Sequence, residues 1–346
     1  MKTWLKIVIG IVVIIVFFVG KTLTNAGFFT KIEPHFDGKT VEINGFHGAE
    51  DITIDKAKGL ALISASDFSP FLPNGAIYLL NLNENSPKPI KLTDKLPFDD
   101  FHPHGISLYK ALNGDKILFV VNHRKVGDFI EIFQFTDSTL IHRESITDPL
   151  FVSPNDVVGV GERKFYVTND HDEEISNWRA KKDLLQIASG NVCYFDGGKA
   201  SILASGFLYA NGVNVSLDGK KLFTSATTGQ KIIVFDRDIT TGVLTKTDEI
   251  PVRGADNIEL DEVGNLWVGC HPKLLAFLAH SKDHSKPSPS EIIKIAYKAK
   301  SDFTLKSIYL NDGKPVSGSS VGAVFGDKLL IGTVFENKVL LGTLKK

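Results

Sequence analysis

The chain has 346 residues, of which 43% are hydrophobic and 10% aromatic, so it is long enough for one large β domain or two ordinary domains. Its formal net charge of −1 gives no indication of a nucleic-acid partner. The two cysteines, Cys193 and Cys270, allow at most one disulfide, which excludes a disulfide-dependent scaffold.

The N-terminal segment contains an uninterrupted apolar run at residues 7–20, after Lys2 and Lys6 and before Lys21. As a helix this run would span about 21 Å, and its flanking residues can extend it toward the roughly 30 Å of a bilayer core. The basic residues on its N-terminal side direct the rest of the chain away from the cytoplasm. Because residues 24–26 form only a weak cleavage site, we expect residues 1–28 to be a retained signal-anchor rather than a removed export signal. The protein is therefore expected to be membrane-anchored through this segment, extracytoplasmic or secreted.

From residue 35 onward, the chain predicts an all-β domain built from a repeated unit. Each unit begins with a head motif, defined here as a small residue or proline, one or two polar residues, and an Ile or Val that opens an alternating strand. Six head motifs occur, at residues 48–55, 102–109, 153–160, 209–216, 254–261 and, more weakly, 317–324. Their equivalent polar residues are taken to be Glu50, His104, Asn155, Asn211, Asp256 and Ser319, at intervals of 45 to 63 residues. Strand repeats of this length predict a six-bladed β-propeller over residues 35–346.

The head motifs indicate a metal site on the propeller axis. The innermost strand of each blade lines the central channel, so equivalent positions on these strands converge. Five of the side chains supply oxygen donors: Glu50, Asn155, Asn211, Asp256 and Asn257. Two carboxylates and three amides suit Ca²⁺, which prefers oxygen ligands, and are atypical of zinc or copper sites. For each residue alone, the alternative is an ordinary turn or hydrogen-bonding role.

A second Ca²⁺ is expected deeper in the same channel. Asp51 and Asp156 lie one residue beyond the first set and are predicted to point to the other face of their strands. Together with the backbone carbonyl of Ile106, they would hold this more buried ion.

Nine stretches resemble the paraoxonase/arylesterase family of calcium-dependent lactonases. In chain order they are AEDITI, FHPHGIS, FVVNH, PNDVVGVG, FYVTNDH, ANGVNVSLDGK, DNIELD, LWVGCHP and LLIGTVF, within about residues 40–345. The resemblance implies a six-bladed propeller with two calcium ions in its channel. It assigns the catalytic ion to Glu50, Asn155, Asn211, Asp256 and Asn257, and the structural ion to Asp51, Asp156 and the carbonyl of Ile106. It also implies that His104 and His123 form a catalytic dyad and that Asp170 and His171 lie near the active-site wall.

The chain departs from this family in one respect. Animal members join their first and last blades with a disulfide, and neither cysteine of that disulfide is present. Cys270 matches the free cysteine of the family, whereas Cys193 has no counterpart. Closure of the ring is therefore expected to depend on strand pairing between the two ends of the chain.

The resemblance implies hydrolysis of small lipophilic lactones or aryl esters. Ca²⁺ would polarise the substrate carbonyl, and His104, relayed by His123, would act as general base with a pKa near its ordinary value of about 6.5. Asp256 is the alternative base or nucleophile. An apolar mouth is expected to select the substrate, with contributions from Phe68, Phe71, Leu72, Ile187 and Phe335. Residues 172–188 predict a helix that either covers this mouth as a lid or only fills a gap.

Three other functions are considered. Residues 318–322 fit G-x-S-x-G, but a strand and not a helix follows them, so a serine hydrolase centred on Ser320 is rejected. A non-catalytic, membrane-tethered chaperone or binding module would have no need of the two histidines. A relative that acts on sugar lactones would be expected to have a more polar mouth.

Overall fold

The structure is a computed structural model that describes residues 2–66, 74–173 and 177–345. Six antiparallel sheets form the blades of a propeller, and this confirms the fold expected from the repeat. In every blade the strands pair in order from the channel outward. The six innermost strands contact one another in a closed ring, so the six head motifs surround a single channel.

The first three blades are continuous in sequence. Blade 1 contains β3 (Ala49–Asp55), β4 (Leu60–Ala65), β5 (Ala76–Asn81) and β6 (Ile90–Lys91). Blade 2 contains β7 (Pro103–Lys110), β8 (Lys116–Arg124), β9 (Gly127–Phe135) and β10 (Leu140–Ile146). Blade 3 contains β11 (Pro154–Gly161), β12 (Lys164–Asn169), β13 (Gly190–Phe195) and β14 (Ala200–Phe207).

The other three blades complete the ring and use both ends of the chain. Blade 4 contains β15 (Ala210–Val215), β16 (Lys221–Ala226), β17 (Lys231–Arg237) and β18 (Leu244–Pro251). Blade 5 contains β19 (Ala255–Leu260), β20 (Leu266–Cys270), β21 (Ser290–Ala299) and β22 (Asp302–Asn311), with the short β1 (His35–Phe36) at its outer edge. Blade 6 contains β23 (Ser319–Phe325), β24 (Lys328–Thr333), β25 (Lys338–Leu344) and, outermost, β2 (Gly38–Asn44).

The ring closes by strand pairing, as expected. Strand β2 pairs with β25 in antiparallel register from Gly38 opposite Leu344 to Asn44 opposite Lys338. Cys193 and Cys270 are both buried and free, so no disulfide contributes to this closure. The pairing satisfies backbone groups of both strands that would otherwise form an exposed sheet edge.

The hydrophobic core lies between the blades. Buried apolar clusters occupy each of the six interfaces between neighbouring blades in the described part of the chain. Between blades 2 and 3, for example, the rings of Phe119 and Phe165 are 5.6 Å apart between centroids. Burial of these faces stabilises the sheets against one another, which leaves the polar head motifs on the channel side.

Within the residues that the structure describes, three helices lie outside the blades. Helix α1 (Thr3–Asn25) is long and apolar enough to cross a membrane, with a mean hydropathy of 2.6 and no buried residue; a signal sequence can have the same properties. The predicted helix at residues 172–188 is shorter in the structure, where α2 covers Asn177–Leu184 and residues 174–176 lie outside the described part. The third helix, α3 (Leu274–Lys282), was not predicted, because a run of Leu, Ala and Phe this short fits a helix or a strand equally well.

Helix α1 ends against the face of the propeller on which the head motifs begin. The carbonyl oxygen of Ala26 accepts a hydrogen bond of 3.0 Å from the backbone N–H of Leu274. Gly27 has a φ of +69°, and a Cβ at this position would lie 1.9 Å from the carbonyl oxygen of Pro272, so only glycine fits there. The end of the apolar helix is thus fixed next to the segment that follows His271.

Candidate metal centre and active site

Each innermost strand has a β-bulge at its head motif. The pairing register shifts between Ala49 and Asp51 in β3, and similar shifts follow the first residues of β7, β11, β15, β19 and β23. A bulge adds an unpaired residue to one strand and re-aims the nearby side chains. Consecutive residues such as Glu50 and Asp51 can therefore both contribute to the channel, and both are buried.

The sixth head is displaced by one residue from its predicted position. Ser319 opens β23 just as Ala49 opens β3 and Ala255 opens β19, so the structural equivalent of Glu50 is Ser320, and the choice of Ser319 was wrong. Two adjacent serines give no sequence signal that distinguishes the two registers. The Ser320 hydroxyl is buried and donates to the backbone oxygen of Glu50 at 2.5 Å. This position inside a strand agrees with the rejection of a serine nucleophile.

The five predicted ligands of the upper ion all lie on innermost strands, and all five are buried. The amide nitrogen of Asn257 donates to Oε1 of Glu50 at 2.8 Å, although the two residues are 207 positions apart. The amide nitrogen of Asn211 donates to Oγ1 of Thr227 at 3.1 Å. These donated bonds fix both amide groups and leave their oxygen atoms available for another partner.

Four oxygens of this set lack a hydrogen-bond partner. They are Oε2 of Glu50 and the Oδ1 atoms of Asn155, Asn211 and Asn257. An unsatisfied buried polar atom destabilises a fold by about 1–3 kcal/mol, so four of them in one channel require an explanation. A hard cation explains them, because carboxylate and amide oxygens are the ligands that Ca²⁺ takes. The residues present therefore fit a calcium ion.

The channel concentrates negative charge. Burial raises the pKa of Glu50 well above its ordinary value, and the carboxylates of Asp256, Asp51 and Asp156 raise it further. Burial also raises the pKa of Asp51 to about 7. Carboxylates that repel one another in a buried site are stabilised in their ionised form by a nearby cation. The electrostatics thus agree with the unsatisfied oxygens.

The lower set consists of carboxylates that backbone groups hold in place. Oδ2 of Asp51 accepts a hydrogen bond of 2.7 Å from the N–H of Ile106. Oδ2 of Asp156 accepts one of the same length from the N–H of Val213. Each aspartate thereby links its own blade to the next. The contact of Ile106 with Asp51 is through its amide, so the role of its carbonyl as a metal ligand stays a prediction.

The candidate site is not a cluster of the usual ionisable metal ligands. Within residues 2–66, 74–173 and 177–345, no three His, Cys, Asp or Glu side chains lie close enough together to hold an ion by themselves. Three of the five ligands proposed for the upper ion are amides, so a site of this composition depends on asparagine oxygens.

The two predicted histidines are in contact. Nδ1 of His104 lies 3.0 Å from Nε2 of His123, and Nε2 of His104 lies 3.8 Å from Oε1 of Glu50. Nδ1 of His123 lies 2.7 Å from Oδ1 of Asp128, a residue that the sequence analysis did not include. Asp128 lies opposite His123 across the β8–β9 hairpin. The short turn between the two residues was the sequence feature that could have predicted their contact. The three residues form a chain of contacts that ends at Glu50.

The pKa expected for His104 was wrong. Burial lowers its pKa to about 3, and the neighbouring His123 lowers it further, whereas Asp170 acts in the opposite direction. Sequence gives no measure of this burial. The imidazole is consequently neutral near pH 7 and can accept a proton.

The wall near His171 contains a charged cluster. Nδ1 of His171 lies 3.0 Å from Oδ1 of Asp170, and Nε2 lies 3.3 Å from Oδ1 of Asp183 on α2. Burial lowers the pKa of His171, but the two carboxylates outweigh it and raise the pKa to about 9. The imidazolium therefore joins α2 to the propeller.

His271 is a site residue that sequence analysis missed. Its Nε2 lies 2.8 Å from Oδ2 of Asp256, and its ring stacks on Phe277 of α3 at 3.7 Å between centroids. The sequence feature that could have predicted this contact is its position directly after Cys270. Cys270 lies opposite Ala255, and Ala255 precedes Asp256.

Aromatic rings pack in series beside His271, starting from Phe277. Phe335 lies 5.7 Å from Phe277 and stacks on His284 at 5.0 Å, both between ring centroids. Ile187 is 48% exposed. The other three predicted contributors, Phe68, Phe71 and Leu72, lie outside the described residues.

Comparison with known proteins agrees with the resemblance seen in the sequence. The sequence model of the Arylesterase family matches residues 45–343. Human serum paraoxonase/arylesterase 1 is 34% identical over 301 residues, with 82% of each chain covered. Chicken serum paraoxonase/arylesterase 2 is 35% identical over 297 residues, with the same coverage. A luciferin-regenerating enzyme superposes with a TM-score of 0.57 at 15% identity, over 88% of this chain and 95% of its own, which shows the fold alone. The chain therefore belongs to the arylesterase family.

Proposed function

We propose that this protein is a calcium-dependent carboxylic ester hydrolase that acts on lipophilic lactones and aryl esters. The observation that carries the proposal is the set of four buried oxygens without hydrogen-bond partners, next to the His104–His123 pair. Membership of the arylesterase family and the names of its paraoxonase/arylesterase relatives support the reaction class.

Two ions are proposed for the channel. The upper ion would be held by Glu50, Asn155, Asn211, Asp256 and Asn257. The lower, structural ion would be held by Asp51, Asp156 and the carbonyl of Ile106. When bound, the upper ion supplies Lewis-acid polarisation of the substrate carbonyl and stabilises the negative charge that develops on its oxygen.

The residues around this centre would move the proton. Nε2 of His104 lies 3.8 Å from Oε1 of Glu50, so its neutral imidazole would stand beside the proposed upper ion and accept a proton from the attacking water. Because burial lowers its pKa to about 3, the imidazolium that forms would need stabilisation by the Asp128 carboxylate through His123. His123 orients the ring of His104, and Asp128 in turn orients His123. The carboxylate of Asp256 is the second candidate base, and its contact with His271 orients it.

The structure also supports a proposal for how the protein sits in the cell. Lys2 and Lys6 precede the apolar helix, which favours an extracytoplasmic propeller. The end of α1 is fixed at the mouth face, so we place the mouth near the membrane surface. Exposed apolar side chains in the segment after α1, in α3 and in the region of α2 would meet the lipid: Phe28, Phe29, Leu275, Leu278, Trp178 and Leu185.

The test is hydrolysis by the full chain purified in detergent, with a panel of lactones of increasing chain length and phenyl acetate. We expect activity that EDTA abolishes and added Ca²⁺ restores, and two bound calcium ions per chain by elemental analysis. Calcium binding without hydrolysis of any substrate would support the membrane-tethered binding module instead. Hydrolysis that persists after complete calcium removal would contradict the proposal.

A further inference from the structure

A completely buried carboxylate lies in blade 2, on the face of the sheet opposite the contact between His123 and Asp128. Glu131 is on β9 and is 0% exposed. Its neighbour Ile130 packs into the apolar cluster shared with blade 3, whereas Phe133 packs into the cluster shared with blade 1. Because side chains alternate along a strand, Glu131 points toward blade 1. The proposed function gives this carboxylate no role.

Four side chains donate hydrogen bonds to Glu131. Its Oε1 accepts from the amide nitrogen of Asn122 at 2.9 Å and from the guanidinium of Arg124. Its Oε2 accepts from Nε2 of His142 at 2.9 Å and from the hydroxyl of Ser145 at 2.5 Å. The four donors occupy both oxygens of the group, so the carboxylate is held from two sides.

The charge of Glu131 is offset by Arg124. The guanidinium lies 3.8 Å from the ring centroid of Phe98 and 4.4 Å from that of Phe129, so the ion pair is surrounded by apolar groups. Desolvation largely offsets the attraction within such a pair, and apolar residues of similar volume stabilise a core at least as well. Stability alone therefore does not account for a charged group at this position.

Asn122 connects this carboxylate to the segment that carries His104. Nδ2 of Asn122 donates to Glu131, and Oδ1 accepts a hydrogen bond of 2.8 Å from the backbone N–H of His102. The carbonyl oxygen of His102 in turn accepts a hydrogen bond of 3.2 Å from the backbone N–H of His123. Because a carboxylate can only accept, Glu131 turns the amide nitrogen of Asn122 toward itself and leaves the amide oxygen for His102.

Two features weaken the backbone pairing at the start of β7, where these bonds lie. Pro103 opens the strand opposite Asn122, and a proline has no N–H to donate. The pairing register then shifts between Pro103 and Ile106. The side chain of Asn122 therefore holds the chain at a place where the strand ladder is interrupted, two residues before His104.

We propose that Glu131 is a positioning residue of the hydrolytic site, which acts through Asn122 to hold His104 against His123. This inference rests on the proposed function, since that function assigns the proton transfer to the two histidines. Their ring nitrogens lie 3.0 Å apart, and a shift of the segment before His104 changes this separation. A displacement of about 1 Å caused from outside a site can lower a rate by about a hundredfold.

The test is steady-state hydrolysis of phenyl acetate by the full chain in detergent, with bound calcium and melting temperature measured on the same preparations. Glu131→Gln is expected to lower kcat by about tenfold, to leave KM within about twofold and to leave bound calcium unchanged. Asn122→Ala should show the same pattern. It leaves the ion pair between Glu131 and Arg124 in place, so it tests the same path if Glu131→Gln does not fold.

A second background separates positioning from a general loss of structure. In His104→Gln, the further change Glu131→Gln should cause no additional loss of kcat, because the base that it positions is gone. An equal fractional loss in both backgrounds would show that Glu131 does not act through His104, and the inference would fail.

Phe135→Leu is the matched control for stability. Phe135 is buried on the same strand and the same face as Glu131, in the cluster shared with blade 1, so this variant should lower the melting temperature and keep kcat. If Glu131→Gln and Asn122→Ala behave as Phe135→Leu does, the buried group only stabilises blade 2 and the inference alone is rejected. A wild-type chain that hydrolyses no substrate would overturn the proposed function, and this inference with it.

Discussion

Nε2 of His271 lies 2.8 Å from Oδ2 of Asp256, and Phe277 stacks on the His271 ring at 3.7 Å between centroids. The imidazole therefore holds one carboxylate oxygen in place and leaves the other for the proposed upper calcium ion. We predict that His271→Ala lowers both calcium affinity and lactone hydrolysis by about 10–100-fold, as expected for a residue that orients a metal ligand. Calcium titration and steady-state kinetics on the same preparation measure the two effects.

The control for this prediction is Phe277→Leu, which removes the stacking ring but keeps the hydrogen bond. It should affect calcium affinity much less than His271→Ala. Equal losses in the two variants would mean that packing of α3, and not the bond to Asp256, orients the carboxylate.

Asn211 and Asn214 lie on the same inner strand but are predicted to differ in their response to mutation. The side-chain oxygen of Asn211 has no hydrogen-bond partner, whereas the amide of Asn214 donates to the backbone oxygen of Ile258 at 2.8 Å. Asn211→Ala should weaken calcium binding by about tenfold or more, because it removes one ligand. Asn214→Ala should lower the melting temperature and leave calcium affinity nearly unchanged. Calcium titration of both variants tests this, and a wild-type affinity in Asn211→Ala would exclude this residue from the site.

The relay through Asp128 can be tested apart from the metal. Asp128→Asn removes the charge next to His123 but keeps its size, so the orientation of the dyad weakens while the ligands stay intact. We expect the maximal rate to fall by about tenfold or more, since general-base catalysis contributes about 10²–10⁴-fold. His104→Gln should lose at least as much, and bound calcium should stay at the wild-type level in both.

The same experiment distinguishes the two candidate bases. If His104→Gln keeps a near-wild-type rate while Asp256→Asn with calcium retained does not, Asp256 is the base. If both variants keep near-wild-type rates, neither assignment holds.

The sequence was sufficient to predict the ring and to put the candidate ligands on its innermost strands, because both depend on recurrence. Residues as far apart as Glu50 and Asn257 could be brought together once their positions in the repeat were equated, and they are hydrogen-bonded in the structure. The shift of the sixth head position from Ser319 to Ser320 was not predicted, because it depends on strand register. Asp128 and His271 were not predicted as site residues, because each lies outside the head motifs and contacts a candidate site residue on an adjacent strand. The low pKa of His104 depends on burial, which no local pattern encodes.

The ion pair of His171 with α2 predicts a dependence of stability on pH. His171 has its pKa raised to about 9 by Asp170 and Asp183 despite burial, so the folded state binds its proton more tightly than the unfolded state, whose value is about 6.5. A raised pKa gives stability that is fully present below the unfolded value and is lost as pH rises through the folded value. We therefore expect the attachment of α2 to weaken between about pH 7 and pH 9 and to be lost above it, with a loss of up to about 3 kcal/mol. Thermal unfolding of the calcium-loaded protein across this range, compared with Asp183→Asn, measures the effect. The variant should be less stable at neutral pH and should show a flatter profile above it, and a variant profile parallel to that of the wild type would show that Asp183 does not hold the proton on His171.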